Sequence, residues 1–279
     1  MGLIMVQAYL NQYPDAICLF YDSEFGVTPE YTKSNGIDPK RVMHIPIEHI
    51  EQLKFDIVKK LEAIERGDKV IIFIDSIGNL ASKKEVEDAL DEKSVADMTR
   101  AKAMKSLFRI ITPHFTTKDI PCVVVNHTYK EIGMFPKDVV AGGTGSYYSA
   151  NTIWIIGRSQ EKEGTELMGY TFSINVEKSR YVIEKSKIPV TVLFDKGISR
   201  WSGLLEIALE LGYVKKPQNG WYCYDGDTKK YRFSETQNSE FWEPILSSPD
   251  FQEDVRKRYQ LAVNDMISKE TETMEDEYE

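Results

Sequence analysis

Four short apolar runs constrain this chain more than any other feature: AICLFY at residues 16–21, VIIFI at 70–74, CVVV at 122–125 and TIWII at 152–156. Each is too short for a buried helix and lacks the alternation of a half-exposed strand, so each suits a strand covered on both faces. Between them the period changes. Residues 50–64 place Leu53, Ile57, Leu61 and Ile64 three or four apart, and residues 95–111 line up Met98, Leu107, Phe108 and Ile111 on one helical stripe. Buried strands alternating with amphipathic helices predict an α/β fold built on a mainly parallel sheet.

Further on the pattern shifts. Residues 170–176 and 189–194 read as two strands joined hairpin-fashion across EKSRYVIEKSK, an addition at one edge of the sheet. From Trp201 a short helix in GLLEIALELG stops at Gly212, an aromatic and turn-rich stretch follows, and a last helix covers residues 251–267. The expected division is a core over residues 1–200, a small C-terminal domain over 201–267 and an acidic tail over 268–279 that is too polar to pack.

A net charge of -9 and a pI near 5.2 exclude a surface coated in basic patches, so contact with nucleic acid has to come from local loops. Cys18, Cys122 and Cys223 show neither a C-x-x-C pair nor a histidine at metal spacing, which fits reduced thiols. No stretch approaches the roughly 18 apolar residues that span a bilayer, and the N-terminus carries no cleavage signal. A soluble cytoplasmic protein without a membrane partner is expected.

Chemistry concentrates where the apolar runs stop. In open α/β sheets ligands sit outside the carboxyl ends of the strands, and Asp75 ends one such run in VIIFIDSIGNL. It either supports a Mg²⁺ ion, directly or through water, or caps the next turn. Asp22 and Glu24 end another in AICLFYDSEFG, where a carboxylate either deprotonates a water attacking a γ-phosphate or faces solvent in an acidic loop. The third run ends in Asn126 and His127, able to hydrogen-bond a phosphate oxygen or to serve as structural polar groups. Beyond it Gly133, Gly142, Gly143 and Gly145 permit unusual backbone conformations, while Lys130 and Lys137 are offset by Glu131 and Asp138. Lys178 and Arg180, two apart in NVEKSRY, project to one face if the segment is a strand, there to neutralise a triphosphate or to remain ordinary surface charge.

Taken in order, LFYDSEFG, FIDSIGNLASKKE, DMTRAKAMKSLFRI, NHTY, GGTG, NVEKSR and SGLLEIALELG resemble the RecA family of recombinases, its phage members above all. The resemblance runs from about residue 17 to residue 198, and SGLLEIALELG lies just beyond it. It implies a RecA-like P-loop NTPase core and ATP-dependent strand exchange on single-stranded DNA within a helical filament. ATP and Mg²⁺ would be the cofactors. Partners would be single- and double-stranded DNA, further copies or a full-length recombinase, and an accessory loader protein; a phage-encoded chain would act in the host cytoplasm. By resemblance Glu24 is the catalytic glutamate, Asp75 supports Mg²⁺, Tyr31 stacks on adenine and His127 senses the γ-phosphate. Lys178 and Arg180 would reach a neighbouring subunit's ATP. Lys130, Ile132, Gly133, Lys137, Gly142 and Gly143 fall in the second DNA-binding loop, and residues 83–93 in the region of the first.

One family motif is not in this sequence. A G-x-x-x-x-G-K-[ST] loop, whose backbone amides and lysine hold the phosphates, occurs nowhere in the 279 residues, and residues 1–3 resemble the helix that follows such a loop. The expectation is a truncated recombinase. Its alternatives are a non-catalytic filament subunit acting with a full-length partner and a RecA-fold helicase. Alone, these 279 residues are expected to show no measurable DNA-stimulated ATP hydrolysis; robust turnover abolished by Glu24→Gln overturns that expectation.

Overall fold

The computed structural model describes residues 1–91, 99–134, 138–163 and 165–261. They divide into two compact units, Met1–Ala150 and the residues from Asn151 onward. In the first, α1 (Gly2–Gln12), β1 (Ile17–Asp22), α2 (Pro29–Ser34), β2 (Val42–Pro46), α3 (Ile50–Ala63), β3 (Val70–Asp75), α4 (Lys83–Leu90) and α5 (Thr99–Lys118) precede β4 (Cys122–Val124). A hairpin of β5 (Thr128–Lys130) and β6 (Asp138–Val140) follows, and α6 (Thr144–Ser149) closes the unit.

The sheet of this unit runs β2-β1-β3-β4, all parallel. The three apolar runs become β1, β3 and β4, and the side-chain period of two sorts them between two cores. Leu19, Tyr21, Ile72 and Ile74 pack with Leu53, Ile57 and Leu61 of α3 and with Met104, Leu107 and Ile111 of α5. Cys18, Phe20, Ile71 and Phe73 pack on the opposite face with Val6 and Leu10 of α1. Burial on both faces is why these runs contain no polar residue until the strand ends.

Helix α3 follows its sequence pattern, with His49 capping its start by accepting from the Gln52 amide at 3.1 Å. Helix α5 keeps the expected stripe but continues past Ile111 and through Pro113 to Lys118; Val95 and Met98 lie outside the described residues. Residues 83–90, read as part of a DNA-binding loop, form the helix α4, because Ser82 and Glu85 make a reciprocal capping box.

The second unit starts with an antiparallel sheet ordered β10-β9-β8-β7, built from β7 (Thr152–Glu163), β8 (Glu166–Ser179), β9 (Lys187–Leu193) and β10 (Gly197–Ile198). TIWII therefore does not join the parallel sheet. It begins a long strand that pairs with β8, and a link of two residues between strands permits only antiparallel pairing. The expected hairpin of residues 170–176 and 189–194 is formed by β8 and β9, but hydrogen bonding places it in this separate sheet rather than at the edge of the first.

After it come α7 (Leu204–Glu210), the three-stranded sheet of β11 (Val214–Gln218), β12 (Trp221–Tyr224) and β13 (Tyr231–Arg232), then α8 (Ser239–Leu246) and α9 (Pro249–Tyr259). Their core centres on Trp242, fully buried with its indole N–H donated to the Thr236 carbonyl at 2.6 Å. The helix expected over 251–267 instead begins at Pro249 and ends at Tyr259, because Gln260 is extended and bridges to Val182; the tail at 268–279 lies outside the described residues.

Ile57 has no exposed surface between α3 and the sheet. Truncating it leaves a cavity as well as losing apolar burial, so Ile57→Ala is expected to lower unfolding free energy by about 2–5 kcal/mol, measured by urea denaturation.

Candidate functional site

Parallel register brings the ends of β1 and β3 level, with Asp22 opposite Asp75. Past those ends the two chains are stitched together. Ser23 N–H donates to the Asp75 carbonyl at 2.9 Å, the Ser23 hydroxyl donates to the Ser76 carbonyl at 2.6 Å, and the Ser76 N–H donates back to Ser23 Oγ at 2.9 Å. The Asp75–Ser76 peptide is cis.

The two acids after β1 have different environments. Asp22 has no exposed surface, and its carboxylate accepts the amides of Glu24, Phe25 and Val27 at 3.0, 2.9 and 3.3 Å and faces His44 Nε2 at 2.9 Å. It shapes the loop from within, holding Phe25 at a φ of 55°. Glu24 points outward on that loop. Its Oε1 accepts both the Ser76 hydroxyl at 2.8 Å and the Asn79 side-chain amide at 2.9 Å, while no donor among the described residues is bonded to Oε2.

Asp75 is half-buried, and no hydrogen-bond donor among the described residues is bonded to its carboxylate. Burial, and after it the nearby charges of Glu24 and Asp22, push its carboxyl above the usual aspartate value; His127 pulls the other way. His127 follows β4, and its ring lies against the backbone of Gly78. A Cβ there would come within 2.7 Å of His127 Cγ, so position 78 has to be glycine. Asn126 donates to the Ala141 carbonyl at 2.8 Å and accepts from the His127 amide at 2.9 Å, tying the end of β4 to the end of β6.

Glu24, Asp75 and His127 are thus gathered at the carboxyl edge of the parallel sheet. Tyr31 stands half-exposed on α2, whose start is capped by Thr28 Oγ1 accepting the Tyr31 amide at 3.1 Å. In the hairpin Lys130 pairs with Asp138 at 2.8 Å, Ile132 is fully exposed beyond β5, and no atom of the described residues lies within 4 Å of where a side chain at Gly133 would begin. Gly142 and Gly143 take φ of 87° and 75°, where a Cβ is strained. Lys137 lies outside the described residues.

Lys178 and Arg180 belong to the second unit, and the single strand face expected of them is not formed. Lys178, on β8, pairs with Ile153 of β7, but β8 ends at Ser179, whose hydroxyl accepts the amides of Tyr181 and Val182 at 3.1 Å each and turns the chain. Arg180 sits just past that end, exposed, its amide on the Asn151 carbonyl at 3.2 Å.

Sequence reasoning passed over Ser76, Asn79, His44 and Arg100. The first two carried a usable signal, since small polar residues directly after a strand-end acid lie within reach of the neighbouring strand end. Arg100 and His44 act on partners twenty or more positions away in sequence, which no local pattern announces.

The donor set fits a Mg²⁺ ion of the kind held by one carboxylate, water and nucleotide phosphate oxygens. Among the described residues no group of three or more His, Cys, Asp and Glu side chains is placed to hold a metal without such help. Because the Asp75 carboxyl is raised, the folded state binds more protons than the unfolded state just above the ordinary aspartate pKa, and stability falls as pH rises through that window. Asp75→Asn is therefore expected to raise the melting temperature at neutral pH without divalent metal, the gain shrinking toward about pH 3.9 in parallel thermal melts.

Comparison with known proteins gives the family of the chain. The RecA N-terminal domain family matches residues 3–199, and the C-terminal domain of the bacteriophage T4 recombination and repair protein matches residues 201–255. The recombination and repair protein of Enterobacteria phage T4 is 56% identical over 274 residues, covering 95% of this chain and 70% of that protein. Protein RecA of Streptomyces rimosus is 26% identical over 242 residues, and that of Streptomyces coelicolor 25%. Those matches cover 86% of this chain, which spans 61% and 62% of the two RecA proteins. No helix among the described residues is long and apolar enough to cross a membrane. With one family matching most of its length and a phage protein identical at more than half of the aligned positions, the chain belongs to the RecA family of recombination and repair proteins.

Proposed function

We propose that this chain acts in DNA recombination and repair as a subunit of an ATP-dependent filament that exchanges strands on single-stranded DNA. The observation that carries the reading is the Glu24 carboxylate, fixed through Oε1 by Ser76 and Asn79 beside the half-buried Asp75 at the ends of two parallel strands. Bound ATP with Mg²⁺ supplies the phosphoryl group whose transfer to water drives the cycle.

Around it the chain's own residues divide the work. Asp75 holds Mg²⁺, directly or through its water shell; its carboxylate is not engaged by another donor among the described residues. Glu24 takes the proton of the attacking water on Oε2, the oxygen that its two partners leave open. His127, exposed at the same edge and seated on Gly78, hydrogen-bonds the terminal phosphate, and Tyr31 stacks on the adenine. Lys178 and Arg180 serve a neighbouring subunit's ATP, which makes hydrolysis depend on assembly.

The hairpin carries the DNA. Ile132 and Gly133 present an apolar wedge that packs on none of the described residues, Gly142 and Gly143 give the backbone its return, and Lys130 and Lys137 meet phosphates. Such contacts are independent of sequence, as strand exchange on any DNA requires. Double-stranded DNA, further copies or a full-length recombinase, and an accessory loader complete the partners, and a phage protein of this kind works in the host cytoplasm.

Mixed filaments with the phage T4 relative test the reading. DNA-stimulated ATP turnover of the mixture is expected to fall when this chain carries Lys178→Ala, since an in-trans cation contributes roughly 10³ to 10⁵ in rate in other phosphoryl-transfer systems. An unchanged rate, with the variant present in the filament, counts against the trans role.

A further inference from the structure

Arg100, in the first turn of α5, is absorbed by none of the roles above, yet its guanidinium spans the turn that follows β3. Nε donates to the Leu80 carbonyl at 2.7 Å, and Nη2 to the carbonyls of Gly78 at 2.5 Å and Ile77 at 3.2 Å. Three carbonyls of one tight turn are gathered by one planar fork, a geometry that a lysine ammonium does not reproduce. Residues 76 and 79 flank and interrupt the gathered carbonyls, and they are the two that donate to Glu24 Oε1.

The same turns of α5 also face the glycine segment that follows the hairpin. A methyl group at Gly142 would lie 3.8 Å from Met104 Cγ, one at Gly143 4.0 Å from Ala101 Cβ, and one at Gly145 only 2.8 Å from Lys105 Cα. Gly145 therefore packs on the helix backbone with no room to spare. His127, joined to Ala141 by a backbone bond of 2.9 Å, rests on Gly78 inside the turn that Arg100 holds. The first turns of α5 are thus in contact with both the return of the hairpin and the turn that presents Ser76 and Asn79.

We infer that Arg100 is a positioning residue for Glu24, and that through it the hydrogen bonds holding the Glu24 carboxylate respond to the state of the 142–145 segment. This rests on the proposed DNA-binding role of the hairpin. Movement of the glycine segment on DNA shifts the start of α5, Arg100 carries the shift to the carbonyls of Ile77, Gly78 and Leu80, and Asn79 and Ser76 reset the direction of Glu24. Spatial adjacency alone does not establish such coupling, so the test reads it directly.

In the isolated 279-residue chain, the Asn79 side-chain amide signal in ¹⁵N NMR reports its bond to Glu24, and Glu24→Ala marks the position of that signal when the bond is lost. Arg100→Ala is expected to move the signal to the Glu24→Ala position and Arg100→Lys to restore it only in part. Arg109→Ala, exposed on the same helix, is expected to leave it in place. A wild-type signal in a folded Arg100→Ala protein overturns the positioning role. Should that variant fail to fold, Arg100→Lys decides the matter by the same signal.

A thymidine oligonucleotide is then added. Movement of the Asn79 signal in the wild-type chain, lost in the Arg100 variant while DNA affinity is kept, supports the coupling. Binding without movement in the wild type overturns the coupling. No binding at all overturns the DNA-binding reading instead, and leaves the positioning role to the first measurement.

Discussion

The outward acid of this site depends on the inward one. Asp22 is a carboxylate without exposed surface, a placement that costs several kcal/mol unless hydrogen bonds compensate. Three loop amides and the ring of His44 supply them. The compensation is the loop itself: to satisfy Asp22 the chain must curl back within five residues of the strand end, and that curl points Glu24 away from the core. Removing the carboxylate altogether would leave the amides of Glu24, Phe25 and Val27 without partners in the same place.

Such a loop needs a rigid base, which the parallel sheet provides. β1 and β3 are buried on both faces between α1 on one side and α3 with α5 on the other, so their register is fixed by two cores at once. A slip of one residue would exchange the inventories of the two faces and separate Asp22 from Asp75. The precision of the site follows from packing several residues back along each strand, while its polar chemistry is confined to the first few residues after the strand ends.

This division explains what was legible in the sequence. Apolar runs report burial, so β1, β3, β4 and α3 were readable from composition and period alone. Strand direction is not encoded in an apolar run, which is why TIWII read as the fourth member of the parallel set when it opens an antiparallel strand instead. The acids at strand ends were readable because their position in the fold is generic; their different fates were not, since burial of Asp22 depends on His44 arriving from β2. Lys178 and Arg180 were visible as a pair, but the turn made by Ser179 between them depends on hydroxyl bonds that no spacing rule anticipates.

The one-sided grip on Glu24 has a consequence for how an isosteric amide behaves there. Ser76 and Asn79 both donate to Oε1, so a glutamine in this position is oriented by them with its carbonyl oxygen facing the two donors and its NH₂ group outward. The protein's own hydrogen bonds choose the flip. What reaches toward the open side is then a donor where the native residue offers an acceptor, in nearly the same volume. The substitution is an inversion of polarity rather than a deletion, and a water that approached the carboxylate proton-first is met by a group that turns it the other way round.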